Sequence, residues 1–387
     1  MNHRIVTAES VRRGHPDKFC DQVADRILDA HLAGDQNARV AVEVFATADK
    51  VLVAGEVTSA TQVNYRKIVW ETIGEIGYQK ADLCPNSMGH VDVEVLIHEQ
   101  SPDIAQAVNG CDELGAGDQG IMVGYATDET PERMPLPVVL AHELCRRLDA
   151  LAKNIYWLGV DGKAQVTVAY DGHIPKEIMT IVVSAQHTED ASLDWLRERI
   201  LVDVIKPAVP EQLITANTLM LINPSGRFVL GGPMADTGLT GRKLAVDQYG
   251  PVARMGGGAL SGKDASKVDR SGAYAARWIA KCVVAAELAK RCEVQIAYAI
   301  GKAVPVGISV DTFQTGVLPD TLLALAIQRA FDLRPASVID QLSLRAPIFT
   351  PLATYGHYGR IDLNLPWENT DYKAALIQAA DAVSRSR

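Results

Sequence analysis

Residues 39–60 read RVAVEVFATADKVLVAGEVTSA, two runs of alternating β-branched residues joined by a short polar turn. Alternation of apolar and polar residues predicts a β-hairpin with one buried face. The pattern returns in AQVTVAYDGHIPKEIMTIVVSA (164–185) and in CEVQIAYAIGKAVPVGISVDTF (292–313). The hairpins start at residues 39, 164 and 292, which are 125 and 128 residues apart, and this spacing indicates an internal repeat.

Helical patterns lie on both sides of each hairpin. In the first of them, Phe19, Val23 and Ile27 follow one another at four-residue intervals and would form one apolar face. Helices are predicted before the hairpins at 16–34, 136–153 and 269–291, and after them at 61–77, 188–205 and 319–332. A short strand is predicted ahead of each leading helix, at 3–8, 120–127 and 242–250.

The chain is thus predicted to contain three copies of strand, helix, hairpin and helix. The predicted fold class is α+β, with three similar domains, each a β-sheet with helices packed on one face. The predicted domains are 1–112, 113–232 and 233–387. The alternative is a chance similarity between common elements.

Composition excludes several classes of function. The 387 residues carry a formal net charge of -9, which argues against nucleic acid as the main partner. No run of about 18 apolar residues occurs and the first residues do not resemble a secretory signal, so no membrane association is expected. The six cysteines are scattered without a C-x-x-C pair, which predicts reduced thiols and a cytoplasmic location.

Unusual residues gather in four glycine-bearing or polar stretches. GHPDK (14–18) puts a proline into the first turn of the predicted helix, beside amide groups that attract anions. HEQSPDIAQAVNGCDELGAGDQG (98–120) has the composition of a lid that closes over a substrate, with a plain surface loop as the alternative. NPSGRFVLGGPMADTGLTGRK (223–243) and GGGALSGKDASKVDR (256–270) combine glycines with basic residues.

The last of these stretches has the spacing of a phosphate-binding loop. Gly257 to Lys263 fits G-x-x-x-x-G-K, but Asp264 stands where that motif requires Ser or Thr to reach a metal ion. The loop is therefore a damaged nucleotide site, an accident, or another way of holding phosphate.

The charged residues of these stretches fit a polyphosphate site. Glycines allow backbone amides to approach phosphate oxygens, and basic side chains supply the positive charge. Asp17 and Asp269 would be unsuitable neighbours for phosphate unless Mg²⁺ lay between them. The candidate bases are Lys163, Arg242, Lys243, Lys263 and Lys267. A solvated charged surface is the alternative for any one of these residues.

Five motifs in this order resemble the S-adenosylmethionine synthetase family, also called methionine adenosyltransferase. They are GHPDK (14–18), GAGDQG (115–120), GRFVLGGP (226–233), DTGLTGRK (236–243) and GGGALSGKDASKVDRSGAYAAR (256–277). The family has three similar α/β domains related by pseudo-threefold symmetry, in agreement with the repeat. On this resemblance the glycine-rich loop is not a P-loop. Arg12 and Arg13 depart from the family, which usually has a small polar residue and an acid there.

The resemblance implies a reaction. Methionine sulfur attacks C5′ of the ATP ribose and expels triphosphate, which the same site hydrolyses to pyrophosphate and phosphate. It also implies two Mg²⁺ per site, a K⁺ ion, and a homodimer with shared active sites that pairs into a dimer of dimers.

The resemblance also assigns roles to individual residues. His15 would assist departure of the triphosphate, and Lys163, Arg242, Lys243 and Lys263 would hold it. ATP would further contact Asp118, Asp161, Arg227, Phe228, Asp236 and Ala259, with Phe228 stacked on adenine. Methionine would contact Glu56, Gln100, Asp236 and Lys267. Asp17 and Asp269 would bind Mg²⁺, and Glu43 would bind K⁺.

Two other classes of protein compete with this interpretation. An ATP-dependent kinase or ligase would also use glycine, lysine and Mg²⁺, but it would transfer a phosphoryl or adenylyl group. A catalytically inactive scaffold of the same fold would have lost His15, Asp17 or Lys263, and all three are present.

Overall fold

A computed structural model describes residues 4–78, 91–99 and 115–385. The strands are β1 (Arg4–Val11), β2 (Arg39–Thr47), β3 (Lys50–Thr58), β4 (Asp92–His98), β5 (Gly120–Thr127), β6 (Leu158–Asp171), β7 (Ile174–His187), β8 (Leu219–Ile222), β9 (Gly238–Leu239), β10 (Arg291–Tyr298) and β11 (Gly307–Asp311). The main helices are α1 (Pro16–Gly34), α2 (Tyr65–Ile76), α3 (Leu136–Ala152), α4 (Leu193–Ile200), α5 (Lys206–Ala208), α6 (Leu244–Asp247), α7 (Val268–Ala285), α8 (Asp320–Ala330), α9 (Pro335–Gln341) and α10 (Lys373–Arg385). A π-helical segment, Leu201–Ile205, joins α4 to α5.

Each of the three predicted hairpins lies in its own sheet, which confirms the α+β fold class. The strand orders are β1-β6-β7-β8, β11-β10-β5 and β4-β3-β2-β9. Helices α3, α7 and α1, respectively, pack on one face of these sheets. Alternation explains this arrangement, since Val40, Val42, Val44 and Ala46 of β2 are all buried on the helical face.

The leading strand of each repeat joins the hairpin of the next repeat. Strand β1 pairs antiparallel with β6, β5 with β10, and β9 with β2, so the exchange closes in a ring. Each sheet therefore contains strands from two repeats. The exchange is consistent with three similar units, and the domain boundaries in sequence remain a prediction.

One predicted strand was wrong. Segment 242–250 is not a strand but contains α6, which ends at Asp247. Asp247, at the end of this helix, is buried and pairs with Lys18 of α1, a tertiary contact that the local sequence pattern does not show. The preceding two-residue strand β9 takes the position in the sheet instead.

Close packing of α7 on its sheet depends on one glycine. A Cβ at Gly124 of β5 would lie 2.0 Å from the backbone carbon of Ala276, so no other residue allows this approach. Arg277 donates a hydrogen bond to the carbonyl of Tyr125 beside this contact. The two segments that meet here are 152 residues apart in sequence. The contact holds the helix that begins beside the last glycine-rich stretch.

Four of the six cysteines lie in the described part of the chain. Cys20, Cys145, Cys282 and Cys292 are buried free thiols, and Cys84 and Cys111 lie outside the described residues. Over the described ranges, no helix combines the length and the apolar character needed to cross a bilayer.

Candidate active site

The first cluster of predicted site residues lies at the start of α1. His15 caps this helix, and its Nδ1 accepts a hydrogen bond from the N–H of Asp17 across 3.2 Å. The carboxylate of Asp17 accepts from the N–H of Leu239 (3.0 Å) and from Nζ of Lys243 (2.6 Å). Nε of Arg242 lies 3.5 Å from the same carboxylate. The motifs GHPDK and DTGLTGRK therefore meet at one helix end.

The electrostatics of this helix end are unusual. Burial, together with Lys243 and Lys163, lowers the pKa of His15 to about 3, so the ring is neutral at neutral pH. Because Nδ1 accepts a backbone N–H, the ring proton lies on Nε2. Burial alone would raise the pKa of Asp17, but the hydrogen bonds from Lys243 and Leu239 hold it below its usual value. A neutral donor thus lies beside an ionised carboxylate.

Strand β6 contributes Lys163 and Asp161. Lys163 is exposed and is near enough to His15 to affect its pKa. Asp161 is buried, and its two oxygens accept from the N–H groups of Gly162 (2.6 Å) and Gly232 (2.8 Å). Burial raises the pKa of Asp161 to about 6. Asp161 thus fixes the loop that contains Gly232 against β6.

The same loop carries the residues expected to contact adenine. The N–H of Phe228 donates to Nε2 of His187 (3.0 Å), and the carbonyl of Phe228 accepts from the N–H of His187 (2.9 Å). Arg227 is largely exposed and pairs with Glu189 across 2.6 Å. The Phe228 side chain is partly exposed beside the end of β7.

A second cluster forms around the glycine-rich stretch. Nζ of Lys263 donates to Oδ2 of Asp269 across 2.6 Å. A Cβ at Gly258 would lie 2.1 Å from Oδ1 of Asp269, so a glycine is required to seat this carboxylate. Lys263 forms an antiparallel bridge with Ala41, which in turn pairs with Glu56 of β3. Lys263 and Glu56 therefore lie on either side of Ala41, on the sheet face that turns away from α1, and Asp269 contacts Lys263.

Asp264 explains why the loop departs from a phosphate-binding loop. Its carboxylate is 3% exposed and accepts from the N–H of Val40 (2.7 Å), the N–H of Ser266 (2.8 Å) and Nζ of Lys267. Burial would raise the pKa of Asp264, but Lys267 and these hydrogen bonds hold it below its usual value. Asp264 thus fastens the loop to β2, and α7 begins only at Val268.

The two clusters lie at different points along β2. Leu239, which contacts Asp17, pairs with Phe45, whereas Lys263 pairs with Ala41. Four residues of a strand correspond to roughly 13 Å. The clusters are therefore two half-sites, here called the His15 half-site (His15, Asp17, Lys163, Arg242, Lys243) and the Lys263 half-site (Glu56, Lys263, Asp269).

Each half-site offers one carboxylate to a metal ion. Across the described ranges, no three His, Cys, Asp or Glu side chains converge on a common point. Asp17 and Asp269 each carry a lysine ammonium where a cation would lie. Carboxylate oxygens suit Mg²⁺, which typically takes one or two carboxylates together with phosphate oxygens. The residues present fit that ion.

The other predicted residues are more scattered. Asp118 and Asp236 are exposed, and Asp236 is near enough to His15 to affect its pKa. Ala259 packs against Gly241. Glu43 is exposed on β2, on the same face as Glu56. Gln100 and most of the predicted lid, 98–120, lie outside the described residues.

Sequence reasoning missed the buried charges beneath both half-sites. Lys18 pairs with Asp21 (2.9 Å), and Arg270 pairs with Asp25 (2.7 Å), with all four side chains fully buried. Asp17, Asp21 and Asp25 recur at four-residue intervals in PDKFCDQVAD. Like charges at this spacing destabilise a solvated helix, so the repeat was a signal of buried partners.

Arg12 forms a buried ion pair beside the His15 half-site. Nε of Arg12 lies 2.8 Å from Oδ1 of Asp149, and its Nη1 donates to the carbonyls of Gly159 (2.7 Å) and Asp161 (3.2 Å). The contact ties the start of β6 to α3, close to Lys163.

Comparison with known proteins gives matches over nearly the whole chain. Family models described as the N-terminal, central and C-terminal domains of S-adenosylmethionine synthetase match residues 3–102, 113–228 and 230–369. A protein named S-adenosylmethionine synthase from Desulforudis audaxviator (strain MP104C) is 52% identical, over 98% of this chain and 99% of that protein. A protein of the same name from Nocardia farcinica (strain IFM 10152) is 51% identical, over 97% and 98%.

Proposed function

Because the chain belongs to the S-adenosylmethionine synthetase family, we propose that it makes S-adenosylmethionine by attack of methionine sulfur on C5′ of ATP, with release of triphosphate. The family identifies the chain as an enzyme, a transferase of S-adenosylmethionine biosynthesis that uses ATP and methionine. The released triphosphate would then be hydrolysed to pyrophosphate and phosphate in the same site. The finer steps rest on the chemistry of the half-sites.

One observation carries this mechanism, namely that both half-sites hold cations in place before substrate arrives. Triphosphate leaves with about four negative charges, so preorganised positive groups should lower the barrier most. Lys243 and Lys263 are held by carboxylates at 2.6 Å, and Arg242 lies beside the first of them. Lys163 completes the set. Sulfur needs no activating base, because it attacks as a neutral thioether.

His15 would act as a hydrogen-bond donor. Its lowered pKa keeps the ring neutral, and its proton lies on Nε2 because Nδ1 is occupied by the N–H of Asp17. A neutral N–H donor stabilises charge that develops on the oxygen departing from C5′. Departure of that oxygen belongs to the first reaction only.

Asp17 and Asp269 would hold the two Mg²⁺ ions, and Glu43 would hold K⁺. Bound Mg²⁺ would neutralise charge on the triphosphate oxygens. Metal and phosphate together would release Lys243 and Lys263 from the carboxylates, so that both ammonium groups could turn to phosphate oxygens. Each carboxylate thereby exchanges one cation for another and remains neutralised.

The remaining assignments concern the two ends of the substrates. Glu56 would accept the α-amino group of methionine, since its carboxylate is one-third exposed, with Nε2 of His98 3.6 Å away. Lys267 and Asp236 would bind the polar end of methionine, together with Gln100. Phe228 would stack on adenine. Arg227, Asp118, Asp161 and Ala259 would lie around the nucleoside.

A homodimer with shared active sites, paired into a dimer of dimers, would complete the enzyme. The two half-sites attach to β2 roughly 13 Å apart, and in the proposed dimer each active site would combine one half-site from each chain. Large apolar side chains are exposed on the sheet faces away from the helices: Ile5 56%, Phe45 38%, Leu96 54% and Ile121 58%. Such surfaces are typical of subunit interfaces. A partner packed there would bring its Lys263 half-site to this chain's His15 half-site.

Product analysis tests the proposed reaction. The enzyme is incubated with ATP, methionine, Mg²⁺ and K⁺, and the products are identified by mass spectrometry and phosphate analysis. S-adenosylmethionine with pyrophosphate and phosphate in equal amounts is expected. An ATP-dependent kinase or ligase would yield ADP, or AMP and pyrophosphate, without a sulfonium product. Omitting K⁺ or Mg²⁺ in turn tests the two ions separately.

A further inference from the structure

Helix α1 carries four aspartates along one face. Asp17, Asp21, Asp25 and Asp29 follow one another at four-residue intervals, so they are stacked on the same side of the helix. Asp21 and Asp25 are fully buried, and Asp29 is partly buried. Buried carboxylates require hydrogen bonds or counter-ions. Asp21 and Asp25 each have both, and Asp29 has hydrogen bonds from Phe349 and Thr350.

Two of the aspartates bind the backbone immediately before the catalytic cations. Oδ1 of Asp21 accepts from the N–H of Gly241 (2.9 Å), which precedes Arg242 and Lys243. Oδ1 of Asp25 accepts from the N–H of Gly262 (2.8 Å), which precedes Lys263.

Both glycines are constrained in the same way. Gly241 and Gly262 have φ of 80°, a left-handed conformation that other residues rarely adopt. A Cβ added at Gly241 would lie 2.4 Å from the Cβ of Ala259. A Cβ added at Gly262 would lie 2.0 Å from the carbonyl oxygen of Val42. The direction of the following side chain therefore depends on one tightly held peptide.

Each aspartate is also fixed by a buried cation. Asp21 pairs with Lys18, whose Nζ also contacts Asp247 at the end of α6. Asp21 and Lys18 thus contact the two ends of the segment from Gly241 to Asp247. Arg270 binds both oxygens of Asp25 (2.7 and 2.9 Å) and donates to the carbonyl of Lys263 (3.2 Å).

We propose that Asp21 and Asp25 are positioning residues, which fix the peptides of Gly241 and Gly262 and thereby aim Arg242, Lys243 and Lys263 at the triphosphate. This inference rests on the proposed function of those three cations. Neither aspartate touches a substrate. Preorganised charge is effective only when its geometry is fixed, and a displacement of about 1 Å can cost up to 100-fold in rate.

Asp29 provides a matched control on the same helix face. Its carboxylate also binds backbone N–H groups, those of Phe349 (3.0 Å) and Thr350 (2.7 Å), but this segment carries no predicted site residue. Replacing Asp29 therefore removes the same kind of contact without disturbing either half-site.

The test compares Asp21→Asn, Asp25→Asn and Asp29→Asn in the full-length enzyme. We expect all three to lower the thermal unfolding temperature. kcat/KM for ATP should fall about 10- to 100-fold in the first two variants and less than about twofold in Asp29→Asn. In Asp21→Asn and Asp25→Asn, the rate of hydrolysis of added triphosphate should fall together with kcat/KM for ATP. KM for methionine should stay unchanged in both. A change below twofold in the first two variants, or an equal loss in the third, would overturn the proposal.

Two further sets of variants keep the outcome unambiguous. If an Asn variant does not fold, Asp21→Glu and Asp25→Glu keep the charge against Lys18 and Arg270 but displace the acceptor by one methylene. We expect these to fold and to lose activity; full activity would contradict the proposal that Asp21 and Asp25 are positioning residues.

Arg242→Met and Lys263→Met test the proposed function itself. If they are impaired while the aspartate variants are not, only the positioning inference fails.

Discussion

Lys263 and Asp269 neutralise each other across 2.6 Å, and Lys243 and Asp17 do so across the same distance in the other half-site. In each pair a lysine proposed to bind triphosphate is held by the carboxylate proposed to bind Mg²⁺. Before substrate binds, the pairs keep the cations ordered and the buried charge low. In the proposed reaction, triphosphate oxygens would replace the two carboxylates as the partners of Lys243 and Lys263.

The first prediction concerns Lys263. Lys263→Met removes a charge-assisted contact to the triphosphate worth roughly 1.5 to 3 kcal/mol, so S-adenosylmethionine formation should slow by about 10- to 150-fold. Steady-state kinetics measure this, with circular dichroism to show that the fold persists. Lys176→Met, on an exposed position of β7, is the control and should match the parent enzyme. An unchanged rate in Lys263→Met would remove this lysine from the site.

The second prediction separates the two chemical steps. His15→Asn should slow S-adenosylmethionine formation far more than hydrolysis of added triphosphate, because only the first step breaks the bond between C5′ and oxygen. Both rates are measured on the same preparation. Equal losses in the two assays would indicate that His15 only helps to bind the polyphosphate.

The sequence predicted the elements of the fold better than their arrangement. Each hairpin has a local signature, the alternation of buried and exposed residues, so all three were predicted correctly. The exchange of β1, β5 and β9 between repeats has no local signature, because it depends on pairing between strands more than 100 residues apart, such as Arg4 with Tyr170. The prediction of a strand at 242–250 was wrong for a similar reason. Asp247 of this segment is buried against Lys18, which lies in a distant part of the sequence.

The site shows the same division. The motifs identified the candidate cations and carboxylates. Their spacing does not reveal that Asp17 pairs with Lys243, or that both oxygens of Asp161 accept hydrogen bonds from backbone N–H groups. The aspartates of α1 were visible as a four-residue repeat. Their role depends on which backbone N–H groups reach them, and those come from glycines more than 200 residues away.

The third prediction concerns the buried ion pair between Arg12 and Asp149. Arg12→Met leaves Asp149 without its cation in a buried setting, which should lower the free energy of unfolding by about 3 to 5 kcal/mol. Urea unfolding measures the change. Arg12→Met/Asp149→Asn should recover part of the loss, because no unpaired charge remains. Lys50→Met breaks the exposed pair with Asp92 and should cost about 1 kcal/mol or less.

The fourth prediction concerns the pH dependence of stability. Burial raises the pKa of Asp161 to about 6, so between about pH 4 and pH 6 the folded protein retains a proton that the unfolded chain has released. Stability from this group is therefore complete below about pH 4 and is lost as the pH rises to about 6. The loss should total about 3 kcal/mol.

Asp161→Asn should remove this part of the pH dependence. Unfolding free energies of parent and variant are compared at pH 4 and pH 7, and the variant should lose about 2 kcal/mol less between the two. The variant will be less stable at both pH values, because an amide nitrogen cannot accept the N–H of Gly232 or Gly162. Parallel pH profiles would mean that Asp161 is ionised in the folded protein throughout this range.

The last prediction tests whether two chains share each active site. His15→Asn impairs one half-site and Lys263→Met the other, and the anchors of these half-sites on β2 are roughly 13 Å apart. If each active site combines half-sites from two chains, a mixed dimer has one site with both substitutions and one site with neither. Two variants with little activity should then regain activity when they are unfolded together and refolded, up to about one quarter of the parent value, since half of the dimers are mixed and each holds one intact site. His15→Asn mixed with Lys243→Met is the control, because both residues belong to the same half-site and every mixed dimer keeps a defect in each site. Recovery in the control as well, or in neither mixture, would show that the site is not divided between chains in this way.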